Sequence, residues 1–184
     1  LRELEALLAP LEMSLTLQSD LGVPGVVEAG TTFVENAILK ARHASAASGL
    51  PSIADDSGLL VDVLDGAPGV YSARYAGANA TDESNVAKLL RTLSDVPEDQ
   101  RRAHFHCTTV FLSHAADPAP LIGEGRWHGS ILLQPRGGGG FGYDPVFYVE
   151  EYRCSSAELP AATKNALSHR GKAMRALLAS LRQR

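Results

Sequence analysis

Asp55 and Asp56 are neighbours in the stretch IADDSGLLVDVLDGAPGVYSARYAG, which begins at Ile53 and passes through a glycine turn to Tyr71, Ser72 and Arg74. A carboxylate taken out of water must be paired or must hold a metal, because a bare buried charge is strongly destabilising. On a strand the two aspartates face opposite ways, so one reaches a ligand while the other bonds within the fold or orients the loop. Ser57 follows as a candidate cap or phosphate contact. Taken alone, the segment reads equally well as an Asp-Ser-Gly turn between strands. Glu28, four residues ahead of Thr32, places another carboxylate just before a helix start. Two or three hard oxygens, completed by phosphate oxygens and waters, are the usual way to hold Mg²⁺.

Two further stretches carry polar chemistry. PRGGGGFGYDPVF, from Pro135, is a glycine-rich loop whose backbone permits positive φ and close approach to a ligand, the basis of a phosphate or nucleotide cradle. Phe141 offers it a stacking face and Asp144 a carboxylate fixed before Pro145. No Lys-Ser/Thr follows the glycines, so this is not a Walker A loop. A mobile hairpin tip is the plainer reading of the glycines by themselves. TKNALSHRG gathers Lys164, His169 and Arg170 just before and at a helix start, where free N–H groups already favour an anion. His104 and His106 alternate on one strand face without a suitably spaced third ligand, which argues against zinc. No GxSxG is present, so a serine hydrolase has little support.

The elements that must position these residues are legible from pattern. Leucines at 1, 4, 7 and 8 predict a helix ended by Pro10, and the alternation over 12–18 predicts a strand. Thr32 and Glu35 form a capping box for a long helix that Gly49 and Pro51 close. On that helix Asn36, Lys40 and His43 share a polar face, and Phe33, Ala37, Ala41 and Ala44 an apolar one. TDESNVAKLLRTLSDVP predicts a second helix with Val86, Leu89, Leu90 and Leu93 inward. RRAHFHCTTVFLSH and LIGEGRWHGSILLQ read as a long antiparallel hairpin. The last helix is expected to be capped by Ser168, with Leu177, Leu178 and Leu181 inward.

With 184 residues, no repeats and no low-complexity linker, the chain reads as one domain. Its 45% apolar and 21% charged content are those of an ordinary globular protein, and a formal net charge of -4 argues against a general nucleic-acid surface. Two cysteines, Cys107 and Cys154, lack CxxC spacing and read as thiols in a reducing compartment. No apolar run approaches a membrane span and no signal peptide is visible, so a cytoplasmic location is expected.

Together these motifs resemble those of the inosine triphosphate pyrophosphatases, the Ham1-like or non-canonical purine nucleotide pyrophosphatases. TFVENAILKA, ADDSGLLVDVLDGAPGVYSARYAG, GGFGYDPVF and KNALSHRG occur in the family's order and span most of the chain. The resemblance implies a mixed α/β fold, with an elongated central sheet flanked by helices and two lobes with a nucleotide cleft between them. It also implies a homodimer that uses Mg²⁺ to cleave ITP, dITP and XTP between the α- and β-phosphates, clearing them from the nucleotide pool. Carried onto this sequence, Asp56 becomes the catalytic carboxylate and a metal ligand, with Glu28 assisting at the metal. Ser57, Lys40, Phe141, Gly142, Tyr143, Asp144, Lys164, His169 and Arg170 become substrate contacts, with Asp55, Asn36 and Arg74 in supporting positions.

Two departures stand out. Family members generally begin with a strand and a Thr/Ser-x-Asn-x-x-Lys loop, so the single domain over 1–184 is expected to lack that strand and phosphate loop. Ala29 stands in EAG where the family usually has threonine, removing a hydroxyl near the metal. The rival readings are a Maf-like nucleotide pyrophosphatase, which the four ordered motifs disfavour, and a non-catalytic nucleotide-binding module. Asp56, Glu28 and Lys164 together speak against the module, because a pure binder has little use for a metal-holding carboxylate pair. A nucleic-acid binder is weaker still, given the acidic balance and 6% aromatic content.

Overall fold

The computed structural model describes residues 14–183. The helix expected over 1–10 and the start of the strand expected over 12–18 lie outside the described residues. From Ser14 to Leu17 the chain is irregular, and Gln18–Leu21 makes a 3-10 turn ended by Gly22 at φ 65°. The Gln18 amide donates to the carbonyls of Val23 and Pro24, folding this segment back on itself where alternation predicts an extended strand.

The fold is mixed α/β. Among the described residues one sheet runs in the order β1 (Ser52–Val61), β2 (Arg102–Leu112), β3 (Leu121–Ile131), β4 (Phe147–Val149) and β5 (Cys154–Ser155). The helices are α1 (Phe33–Ser48), α2 (Asp82–Thr92), α3 (Ala161–Leu167) and α4 (His169–Leu181). None of the described helices is long and apolar enough to cross a membrane. The chain forms two compact units, and β1, β2 and β3 each contribute residues to both.

The first unit holds the described residues up to Asp56, with 107–125 and 170 onward. Its α1 begins as expected: the Thr32 hydroxyl accepts from the Glu35 N–H while Glu35 accepts from the Thr32 N–H. Gly49 at φ 72° ends it. The small side chains of Ala37 and Ala41 let α1 lie close to Val110 and Leu112 of β2. On α4, Met174, Leu177 and Leu178 pack with Phe111. The connection between β2 and β3 is tied by Asp117, which accepts from the Ser113 N–H, the Ser113 hydroxyl and the Ala119 N–H.

Gly123 of β3 sets the approach of α4. A Cβ there would stand 2.3 Å from the Ala173 carbonyl oxygen and 2.5 Å from the Leu177 nitrogen, both rigid backbone atoms. Gly123→Ala is therefore expected to destabilise the protein by about 1–3 kcal/mol through overpacking. Urea unfolding checks this: the midpoint should fall with the slope unchanged. An unaltered midpoint would mean that α4 can move off the strand freely.

The second unit holds 57–106 and 126–169. Its α2 is capped by a reciprocal box between Thr81 and Ser84 and turns Val86, Leu89 and Leu93 into the core. That core centres on Phe105, Trp127 and Phe147, with Phe147 rings 4.6 Å and 5.2 Å from the other two. β4 pairs antiparallel with β3 (Ser130 opposite Tyr148) and with β5 (Tyr148 opposite Ser155). Arg101 is buried and donates to the carbonyls of Leu93, Val96 and Leu132, closing backbone groups that α2 and β3 leave over. The end of TKNALSHRG differs from expectation. Lys164 lies inside a short helix of its own, α3, and extended Ser168 (φ -61°, ψ 153°) separates this helix from α4. Lys164 is thus not at a helix start, and only His169 and Arg170 open α4.

Candidate active site

Lys40 gathers the carboxylates. Its Nζ donates to Glu28 Oε1 and to Asp56 Oδ1, each at 2.8 Å, so two acids from distant parts of the chain converge on one cation. Asp56, on β1, is 7% exposed. Its other oxygen accepts from the Asn36 amide at 3.2 Å, and the Asn36 oxygen accepts from the Gly30 N–H at 2.8 Å. Asn36 is fully buried, although helical periodicity assigns it to a polar face. It bridges the segment carrying Glu28 to Asp56. A Cβ at Gly30 would stand 2.6 Å from the Asn36 oxygen, which explains the glycine of EAG.

The electrostatics follow from burial. Desolvation pushes the Asp56 carboxyl above its ordinary value, against the opposing pull of Lys40. Burial draws the Lys40 ammonium down, but its hydrogen bonds to Asp56 and Glu28 outweigh this and raise it. Lys40 stays charged, and Asp56 is a better proton acceptor than a solvated aspartate. The pair also fits a hard divalent cation. Two carboxylates already meet at a cationic point, and Mg²⁺ is commonly bound by one or two carboxylates with substrate phosphates and waters. Among the described residues no cluster of three His, Cys, Asp or Glu side chains is placed to hold a metal.

Asp55 points the other way along β1, as strand alternation requires. Its Oδ2 accepts from Arg170 Nε at 3.1 Å and Nη2 at 3.0 Å, with the Cys107 thiol at 3.7 Å. Ser57 follows on the same strand and is partly exposed.

The glycine loop is built around Asp144, which is 3% exposed. Asp144 Oδ2 accepts from the Phe141 N–H at 2.8 Å and from the Lys164 ammonium, and Oδ1 accepts from the Ser156 hydroxyl at 2.6 Å. Lys164 Nζ lies 5.0 Å from the centre of the Phe141 ring, which is 64% exposed. The next N–H, that of Gly142, donates to Asp82 at 2.6 Å. Both loop amides are thus engaged by carboxylates. A phosphate at these two amides would meet negative neighbours, while the exposed Phe141 ring and the Lys164 ammonium lie alongside.

The remaining expected contacts are dispersed. The Tyr143 ring is buried and its hydroxyl donates to the Ser72 carbonyl at 2.9 Å, with burial pushing the phenol far up. Its side chain is thereby committed to the core rather than to a substrate. His169 stacks on Phe105 with ring centres 4.8 Å apart and a 12° tilt. Arg74 lies over the Tyr71 ring at 5.1 Å. The cations that sit close together in TKNALSHRG are thus divided: Lys164 joins Asp144, His169 joins Phe105, and Arg170 joins Asp55. His104 faces His128 at 5.3 Å across neighbouring strands. Sequence reasoning missed Ser156 and Asp82. Ser156 gives no signal in CSSAEL, and Asp82 reads only as a first-turn helix acid.

Residues 1–180 match the Ham1 family model. This chain belongs to the Ham1 family. It is 57% identical over 181 residues to a dITP/XTP pyrophosphatase of Photorhabdus laumondii, covering 98% of this chain and 92% of that protein. The dITP/XTP pyrophosphatase of Escherichia coli strain K12 is 56% identical over the same shares. Among solved structures, a HAM1 protein from Coxiella burnetii superposes on this Ham1 chain with a TM-score of 0.93 at 48% identity, covering 100% of this chain and 93% of the other. A nucleoside-triphosphatase / dITP/XTP pyrophosphatase from Mycobacterium abscessus gives 0.79 at 41% identity, over 98% and 93%.

Proposed function

We propose that this protein hydrolyses the non-canonical purine nucleoside triphosphates ITP, dITP and XTP to the monophosphate and pyrophosphate, removing them from the pool before they enter DNA or RNA. The observation that carries this reading is the convergence of Glu28 and Asp56 on Lys40, within a family whose relatives are named dITP/XTP pyrophosphatases. Water attacks the α-phosphorus, the bridge to the β-phosphorus breaks, and pyrophosphate leaves. Asp56, its pKa raised by burial and its orientation fixed by Asn36, takes the water's proton. Lys40 stays protonated and offsets charge developing on the phosphates. Glu28 and Asp56 are the residues to hold Mg²⁺, which when bound withdraws charge from phosphate oxygens.

The purine is the part of the substrate suited to Phe141 and Lys164. An exposed ring supplies stacking for any purine, and the Lys164 ammonium, a donor with no acceptor, pairs with a 6-keto oxygen. Adenine presents a 6-amino donor instead, which meets the ammonium donor to donor. Ser57, His169 and Arg170 complete the substrate contacts, Gly142 and Tyr143 contribute through the loop backbone, and the enzyme acts as a homodimer. Cys107 and Cys154 are not joined in a disulfide, which suits the cytoplasm.

The test is product analysis after incubation with Mg²⁺ and ITP, dITP, XTP, ATP or GTP. IMP with pyrophosphate, and ATP and GTP almost untouched, is the expected result. IDP with phosphate would place the attack at the wrong phosphorus. Binding of ITP without turnover would leave a nucleotide-binding module instead.

A further inference from the structure

We propose that Asp82 is a positioning residue for nucleotide binding: its carboxylate latches the tip of the glycine loop and so holds Phe141 as a stacking platform. This rests on the nucleotide hydrolysis proposed above. Gly137, Gly139 and Gly140 in the body of the loop are closely packed, while a Cβ at Gly138 among them would meet nothing within 4 Å. A Cβ at Gly137 would stand 2.7 Å from Glu158 Cγ, one at Gly139 2.7 Å from the Ala157 carbonyl oxygen, and one at Gly140 2.1 Å from Asp144 Oδ2. The tip is different. Nothing lies within 4 Å of where a Cβ would be at Gly142, and Gly142 sits at φ 60°, where side chains are strained.

Beside the tip, α2 and the loop line a pocket of about 450 Å³ that includes Val86, Leu90, Pro135 and Phe141. The tip is therefore not held by close packing against α2. It is tied instead by the 2.6 Å bond from the Gly142 N–H to Asp82 Oδ2, across a sequence separation of 60 residues. Asp82 is anchored in turn, because it opens the helix that Thr81 and Ser84 cap. A capped helix thus holds the amide next to an aromatic ring that is itself largely exposed.

Asp82 has a second, local role that any first-turn acid has, which is to complement the helix dipole. The two roles need different chemistry. The dipole needs a negative charge, whereas the latch needs only an acceptor, which asparagine supplies. In dITP hydrolysis, Asp82→Ala should raise KM about tenfold with kcat within about twofold, the size of one lost hydrogen bond to a charged group. Asp82→Asn should restore KM to within about threefold of the native protein. Combined with Phe141→Ala, Asp82→Ala should add nothing further to KM, because the ring it holds is gone.

Amide hydrogen exchange read by NMR gives a measure that needs no turnover. Gly142 should exchange faster in Asp82→Ala and at the native rate in Asp82→Asn. Unchanged Gly142 protection in Asp82→Ala overturns the latch outright. So does an equal KM rise in the Asn and Ala variants, or full additivity with Phe141→Ala. If the native protein fails to turn over dITP while Gly142 responds as described, the hydrolysis reading fails and the latch stands as a loop anchor without this nucleotide role.

Discussion

Asp56→Asn should lower kcat for dITP by roughly 10³-fold or more, since it removes both the proposed general base and one of two candidate metal ligands. The fold should survive, and the direction of the stability change can be argued. Burial raises the folded-state pKa of Asp56, so the folded chain holds that proton more tightly than the unfolded chain. The stabilisation from this group is full below an ordinary aspartate pKa and is lost as pH rises through the raised value. At neutral pH the ionised carboxylate is thus a net burden that Lys40 offsets only in part. Asparagine removes the charge and can still accept from the Asn36 amide. In metal-free buffer at neutral pH the melting temperature of the variant should equal or exceed that of the native protein. Retained turnover within tenfold would remove Asp56 from the chemistry. A large fall in melting temperature would make it a structural anchor instead.

The parts of this arrangement that the sequence revealed are those set by local chemistry. The capping box at Thr32 announces α1 because both of its partners lie within one helical turn, and the spacing of Val86, Leu89 and Leu93 announces α2. The adjacency of Asp55 and Asp56 on a strand forces opposite directions, and their partners, Arg170 and Lys40, lie on different helices. What stayed hidden depends on distant partners. Periodicity sorts Asn36 with solvent-facing residues, but Asp56 and Gly30 give its amide two buried partners and draw it inside. The cations of TKNALSHRG look like one cluster until the break at Ser168 is known. Arg101 reads as the first residue of the strand-like RRAHFHCTTVFLSH, yet three carbonyls from separate segments bury it. The bond from Gly142 to Asp82 has no local signature at all.

Asp144→Ala should be the most destabilising substitution at the glycine loop. The carboxylate is almost wholly buried and holds three donors: the Phe141 amide, the Ser156 hydroxyl and the Lys164 ammonium. Removing it leaves a lysine charge without its counterion and a buried hydroxyl with only the residue 144 carbonyl, 3.5 Å away, to accept from it. Loss of one partner of a buried ion pair typically costs about 3–5 kcal/mol, which in a chain of this length corresponds to a melting temperature roughly 6–20 °C lower. Lys164→Met is the informative contrast. It keeps the aliphatic stem and leaves Asp144 two of its three donors, so the fall in stability should be smaller. Its effect on nucleotide hydrolysis should be as large or larger, because the donor proposed for a 6-keto oxygen is gone. Selectivity gives the sharper reading. Lys164→Met should narrow the ratio of ITP to ATP turnover, since the penalty against a 6-amino group disappears with the ammonium. If that ratio is unchanged while both rates fall together, Lys164 serves the loop through Asp144 and does not read the base.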